Sequence, residues 1–285
     1  MTSPIVAGVD GTRSGLDAAA LGARLATDIG TPLVVVCVGP DADLVDDADP
    51  EHHTTSILEA AREVVTDRPA EFRTVVSTSP ARGLADFAEE EGAEAVVVGS
   101  THRSAVGRVM SGSTAERLLH GTSCPIAMAP RGYRQRRTEP MRAVGVAFTD
   151  TPEGHEAVRV AADIARRADL PLTVYSVVAL HHNWLRPQAV QPDASVVPDE
   201  VSKTYREALD RVVAGLPSGV RGTGELLFGE VVDELSMVSE RGVDLLVCGS
   251  RGYGPMRRVL LGTVSSALLR QASLPVLVVP RAGAG

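Results

Sequence analysis

Hydrophobic positions along this chain alternate between short continuous runs and longer stretches with a period near 3.6. Ile5–Val9 is such a run, and Asp10-Gly11-Thr12 then turns the chain into a helix whose apolar face is Leu16, Ala19, Ala20, Ala23, Leu25 and Ala26. The helical pattern stops near Gly30, and Pro32–Val38 follows as a β-branched run. Runs that are apolar at every position suit parallel strands covered by helices on both faces. An acidic loop, Asp41–Glu51, precedes a helix predicted to end near Asp67. Further strands are predicted at Phe72–Ser77, Ala95–Val98 and Pro125–Ala129, with helices from Pro80 to Gly92 and from Ser113 to His120. Five strands alternating with helices predict an α/β fold built on a doubly wound parallel sheet.

The second half repeats the order, with strands predicted at Arg142–Val146, Pro171–Val178, Gly224–Phe228, Leu245–Cys248 and Pro275–Val279. Its tail aligns with the tail of the first half at a constant spacing of 150 residues, pairing Gly99 with Gly249, Gly112 with Gly262, Pro125 with Pro275 and Pro130 with Pro280. An internal duplication explains this economically. The predicted domains are residues 1–131 and 142–285, joined by an arginine-rich linker at 132–141 that reads as polar and solvated.

Composition narrows the function. A length of 285 residues accommodates two domains, and 44% hydrophobic with 22% charged residues is the balance of a soluble protein. No apolar run is long enough to cross a bilayer and no secretion signal is evident, so the expected location is cytoplasmic, without a membrane partner. A net charge of -8 argues against nucleic acid as a partner. Cys37, Cys124 and Cys248 lie in or beside apolar runs, lack metal-ligand spacing, and are expected to be buried thiols.

The chemistry concentrates after the fourth strand of the second half, where Gly249-Ser250-Arg251-Gly252 is followed, nine residues on, by Gly262-Thr263. A glycine at the carboxyl end of a parallel strand lets backbone approach a ligand. A second glycine three residues later permits a loop whose amides converge on an anion. The third opens a helix, whose free amides and dipole favour phosphate. Ligands of such sheets sit at the carboxyl ends of strands, where the strand order reverses.

This spacing, together with the opening Ile5-Val6-Ala7-Gly8-Val9-Asp10-Gly11-Thr12, resembles the universal stress protein family, twice over, as in its tandem members. The resemblance implies a Rossmann-like fold and an ATP site, with or without Mg2+. It places Asp10 near adenine and ribose, the backbone of Val38 and Val177 at the adenine edge, and Gly8 and Gly145 beneath the nucleotide. It assigns ribose and phosphates to Gly99, Gly112, Ser113 and Thr114 in the first half. In the second half they fall to Gly249, Arg251, Gly252, Gly262, Thr263 and Val264. Two departures stand out. His102 replaces the second glycine of the first half, a cost of roughly 1–2 kcal/mol if that position needs a positive φ. Ala147 is read as standing where the second half should carry its aspartate, a loss of roughly 1.5–3 kcal/mol. The second half, with its glycines intact, is the favoured site. Asp10 has a second reading, as an Asx-type cap of its own turn.

Other signals are weaker. Lys203, the sole lysine, has no glycine loop before it, and Gly8, Gly11 and Gly15 are out of register for a dinucleotide fingerprint. The pairs His52-His53 and His181-His182 lack a third metal ligand and read as solvated loop residues. With no lysine clamp, positioned base or metal-carboxylate cluster, the expectation is a nucleotide-binding regulator of stress response with slow or no hydrolysis. The alternatives are a nucleotide-free assembly module and an adenine-nucleotide hydrolase. The resemblance further implies an intramolecular pseudo-dimer in which Ile126–Ala129 pairs with Val276–Val279. A second copy of the chain could join it as a homodimer.

Overall fold

The computed structural model describes residues 3–40, 50–100, 114, 117–118, 122, 124–136, 138–179, 199–250 and 262–280. In the first half the strands are β1 (Ile5–Val9), β2 (Leu33–Gly39), β3 (Glu71–Val76), β4 (Ala95–Gly99) and β5 (Ile126–Ala129). The helices whose bounds are described there are α1 (Arg13–Asp28), α2 (Pro50–Val64) and α3 (Pro80–Glu90). The second half contributes β6 (Val144–Ala147), β7 (Leu172–Ala179), β8 (Gly222–Gly229), β9 (Leu245–Gly249) and β10 (Val276–Val279). Its helices are α4 (Pro152–Arg167), α5 (Asp199–Ala214), α6 (Val231–Ser236) and α7 (Thr263–Gln271).

The ten strands form one sheet in the order β3-β2-β1-β4-β5-β10-β9-β6-β7-β8. Neighbours within each half are parallel, whereas β5 and β10 meet antiparallel, with Val276, Leu277 and Val278 opposite Met128, Ala127 and Ile126. The predicted edge pairing is therefore present, and it covers two short apolar edges that would otherwise template aggregation. Each half is a doubly wound parallel unit, as the alternating pattern predicts.

Local chemistry starts the helices. Thr12 and Thr151 cap α1 and α4, each side-chain oxygen accepting from a glycine amide three residues on, Gly15 at 3.2 Å and Gly154 at 3.1 Å. Pro80 and Pro152 open α3 and α4, where a missing amide proton costs nothing. After α1 the chain reverses through Gly30 at φ 68°, while the equivalent residue after α4 is Asp169 at φ 52°. A side chain in that left-handed region carries strain that glycine avoids.

One face of the sheet packs under α1, α2, α4 and α5, with Leu21, Leu25, Ala61, Ala161 and Leu172 nearly or fully buried. The other packs under α3, α6 and α7 around Val96, Ile126, Leu246 and Leu268. Each fully buried aliphatic side chain contributes about 1.5–3 kcal/mol. On both faces the core runs continuously across the β5–β10 seam. Arg167 of α4 strengthens the junction by donating to the Ile29 carbonyl at 3.1 Å and pairing with Glu94.

The segment between the halves departs from the solvated linker expected of its composition. Tyr133 and Met141 are buried, and the chain forms a 3-10 turn over Tyr133–Arg136. Of the acidic stretch, residues 41–49 lie outside the described residues, whereas Glu51 is already helical because α2 begins at Pro50, and His52 and His53 are exposed residues of its first turn rather than of a loop.

Candidate functional site

In each half the strand order reverses once, between β1 and β4 and between β6 and β9. The crevice outside the carboxyl ends of those strands is where an open α/β sheet takes a ligand. Gly99 and Gly249 end β4 and β9 there. Asp10 follows β1 at the same edge, and Gly262 caps α7 with extended backbone.

The start of α7 is fixed from below. Ser250 donates its amide to the Val279 carbonyl at 2.9 Å, and its own carbonyl accepts from the Gly262 amide at 2.7 Å and the Ser265 hydroxyl at 3.1 Å. The Gly262 N–H is therefore spent on the scaffold. The anion-binding capacity of the helix start resides in the amides that follow, those of Thr263 and Val264, which have no partner within the helix. Thr263 is exposed and Val264 half-buried.

Asp10 serves its own turn. Its Oδ1 accepts from the Thr12 amide at 3.1 Å and the Thr12 hydroxyl at 2.6 Å, an Asx-type arrangement on an exposed side chain. Its negative charge also reaches the end of β2, where burial first and Asp10 second push the Cys37 thiol up to about 11. Val38 stands half-buried beyond that cysteine, and Val177 occupies the matching place on β7.

The register corrects one pairing of the two halves. Ile5 lies beside Leu33 and Ala95 as Val144 lies beside Leu172 and Leu245, and the capping threonines Thr12 and Thr151 share the same offset of 139 residues. At that offset Asp10 corresponds to Thr149 and Gly8 to Ala147, so Ala147 does not stand in the place of the aspartate. Val6 is the counterpart of Gly145. Val38 and Val177 already obey this offset, which was the signal available in the sequence. Thr149 closes its turn through its carbonyl, which accepts from the Thr151 amide at 2.7 Å.

Asp150 then falls where the first half has Gly11. It is paired with His155 Nε2 at 2.8 Å and accepts from Arg211 of α5 at 3.3 Å. The His155 hydrogen bond, with Arg211 behind it, holds this carboxyl below the usual carboxylate range. His155 in turn stands edge-on to Phe148, ring centroids 5.2 Å apart.

The glycines have packing reasons of their own. A Cβ at Gly99 would fall 2.0 Å from the Ser14 carbonyl oxygen, while Ser14 Oγ donates to the Ser100 carbonyl at 2.7 Å. A Cβ at Gly249 would lie 3.0 Å from the Glu153 carbonyl. At Gly8 the neighbour is Leu84, at 2.7 Å, and at Gly145 it is Val243 and Tyr175, at 3.0 and 3.1 Å. The space beside Gly8 and Gly145 is thus occupied by the protein core, and any ligand contact there is through backbone. Thr114 is helical and half-buried. His102, Gly112, Ser113, Arg251 and Gly252 lie outside the described residues, as do His181 and His182. Among the described residues no cluster of three His, Cys, Asp or Glu could hold a metal, and no helix is long and apolar enough to cross a membrane.

A profile of the universal stress protein family matches residues 1–130 and 141–280. A universal stress protein of Mycobacterium tuberculosis is 30% identical over 210 residues, spanning 71% of this chain and 69% of its own. Another from the same organism is 27% identical across 96% of both chains. The crystal structure of a universal stress protein from Archaeoglobus fulgidus superposes on 99% of this chain with a TM-score of 0.66 at 17% identity, a likeness of fold. The chain belongs to the universal stress protein family and carries two of its domains in tandem.

Proposed function

We propose that the second half binds ATP in the crevice between β6 and β9, and that the protein acts as a nucleotide-responsive regulator with little or no hydrolysis. The observation that carries this reading is the start of α7, held at the carboxyl edge of β9 by the Gly262–Ser250 bond, with the amides of Thr263 and Val264 leading the helix. A helix N-terminus at a strand-order reversal supplies partial positive charge and directed donors for phosphate oxygens. Gly252 and Arg251 of the intervening loop would close over the phosphates, and a guanidinium there suits their planar oxygen pairs. Thr149, rather than Ala147, would offer a hydroxyl to the ribose.

In the first half Asp10 would take that ribose role, but its Oδ1 already serves Thr12, and His102 interrupts the glycine loop. The reading therefore assigns tighter binding to the second half. Binding rather than turnover is favoured because Asp150, in the turn that follows β6, is tied to His155 and Arg211 and held ionised. A carboxylate so placed is a poor proton acceptor at neutral pH. Mass spectrometry of small molecules released from purified protein tests the proposal. An adenine nucleotide at about one per chain is expected; its absence, with no uptake on adding ATP, overturns it.

A further inference from the structure

The β5–β10 seam relates the two halves by an approximate twofold axis, so each feature beside it has a counterpart. On the face covered by α1 and α4, a partly enclosed cavity of 240 Å³ opens at the seam. Its apolar wall includes Ile5, Leu25, Ile29, Ile164 and Leu277, with Val160 on the α4 side. Glu94, Arg159 and Asp163 supply its polar groups.

The counterpart of this cavity is filled. Applying the same offsets, Glu94 corresponds to Asp244, Asp163 to Arg24, Leu25 to Ile164 and Val160 to Leu21. Tyr133 lies in that place: it is buried, belongs to the same core as Leu21, Leu25 and Ile164, and its phenol feels the charges of both Arg24 and Asp244. Burial dominates that environment and pushes the phenol up to about 12. The residue corresponding to Tyr133 in the second half is Gly283, which brings no ring. One half of the molecule therefore completes its seam with an aromatic side chain, and among the described residues the wall of the other carries no ring.

We infer that the open seam cavity is a binding site for a small uncharged phenol, a ring with a para substituent of the size of the tyrosine side chain. An apolar cavity of about 150 Å³ already admits a benzene ring, so the volume suffices. Glu94 and Asp163 take the places of the Asp244 and Arg24 that surround Tyr133 and supply carboxylate acceptors for a hydroxyl, while the arginines beside them are already engaged, Arg167 with both carboxylates and Arg159 with Glu156, which disfavours an anionic ring. Glu94 is paired with Arg167, which also bonds the Ile29 carbonyl across the seam, so an occupant here would bear on the junction between the halves. The site lies at the amino ends of β1 and β4, away from both nucleotide crevices, and does not depend on the ATP reading.

The test is titration of the full chain with p-cresol and with 4-methylbenzoate, followed by ligand-observed NMR, on wild type and on Val160→Phe, which places a ring in the cavity from the α4 side. Saturable p-cresol binding to wild type, weakened at least about tenfold in Val160→Phe and not reproduced by the benzoate, supports the inference. No binding of p-cresol, equal binding to both proteins, or equal binding of the benzoate overturns it. Should Val160→Phe fail to fold, crystals soaked in 4-bromophenol decide the matter: a bromine anomalous peak between Val160 and Leu277 supports the site, and its absence there refutes it.

Discussion

Arg134 donates to the carboxylate of Asp17 twice, from its backbone amide at 3.0 Å and from its guanidinium at 2.9 Å, while the Gly132 amide holds the other oxygen at 2.8 Å. Asp17 is fully buried in the face of α1, a costly place for a charge unless its lone pairs are taken up. The segment joining the halves is thus anchored to the first domain by a charge inside it, and Tyr133 and Met141 follow that anchor into the core. Core residues of both halves meet at the seam on each face of the sheet, with the cavity described above left on the α1 and α4 side.

Replacing Asp17 by alanine leaves those donors without their acceptor. The expected loss is about 1.5–3 kcal/mol, a fall in melting temperature of roughly 3–12 °C. The corresponding residue of the second half, Glu156, pairs with Arg159 on a more exposed face, so Glu156→Ala should move stability by less than about 0.5 kcal/mol. Calorimetry of the two variants side by side checks the asymmetry; equal effects would contradict the anchoring role.

Gly99→Ala pushes a methyl into the Ser14 carbonyl, and backbone cannot yield as a side-chain tip can. A cost of at least about 1–3 kcal/mol is expected, with a smaller one for Gly249→Ala, whose nearest neighbour is a full ångström farther away. Denaturant melts of the two variants give the ranking. Were Gly249→Ala the more damaging, close packing would not be the reason for these glycines.

Val278 lies opposite Ile126 and beside Cys248, within the three-strand centre of the seam. Val278→Pro removes a ladder donor that a central strand requires. Faster hydrogen exchange over Ile126–Ala129 and a larger solution radius are the expected results. Unchanged protection of that strand would show that the pairing does not hold the halves together.

The thiols predict a pH dependence. Burial raises Cys124 and Cys248 to about 12 and Cys37 to about 11, whereas an unfolded thiol ionises near about 8.5. Between these values the folded chain holds protons that the unfolded chain releases, so stability falls as pH rises above about 8.5 and is fully present below it. Urea melts from pH 7 to 10 should show this decline, and replacing all three cysteines with alanine should flatten it. At pH 8 a thiol reagent should label the native protein far more slowly than the unfolded one.

Much of this architecture was legible in the chain, because strands buried on both faces write themselves as unbroken apolar runs such as Leu33–Cys37, and because a duplication repeats them. Composition misleads about the linker for a physical reason: Arg134 and Arg136 look solvated, and Asp17, 117 residues away from Arg134, is what holds one of them against the core. The counterpart of Asp10 is hard to place from the sequence because Gly145 invites alignment with Gly8, although Thr12 with Thr151 and Gly15 with Gly154 set a different offset. Asp10 itself carries chemistry that a sequence cannot apportion, since one oxygen organises a turn and the same carboxylate borders the crevice.

ATP binding by the second half at the start of α7 is the proposal on which the function turns. Thermal unfolding of the wild type and of Gly262→Asp, with and without ATP, tests it most directly. The wild type should be stabilised, by about 2.7 kcal/mol at a hundredfold excess over the dissociation constant. The variant, which sets a negative side chain at the helix start, should fold and show no ATP response. A wild type indifferent to millimolar ATP, or a variant stabilised as much as the wild type, would contradict the account.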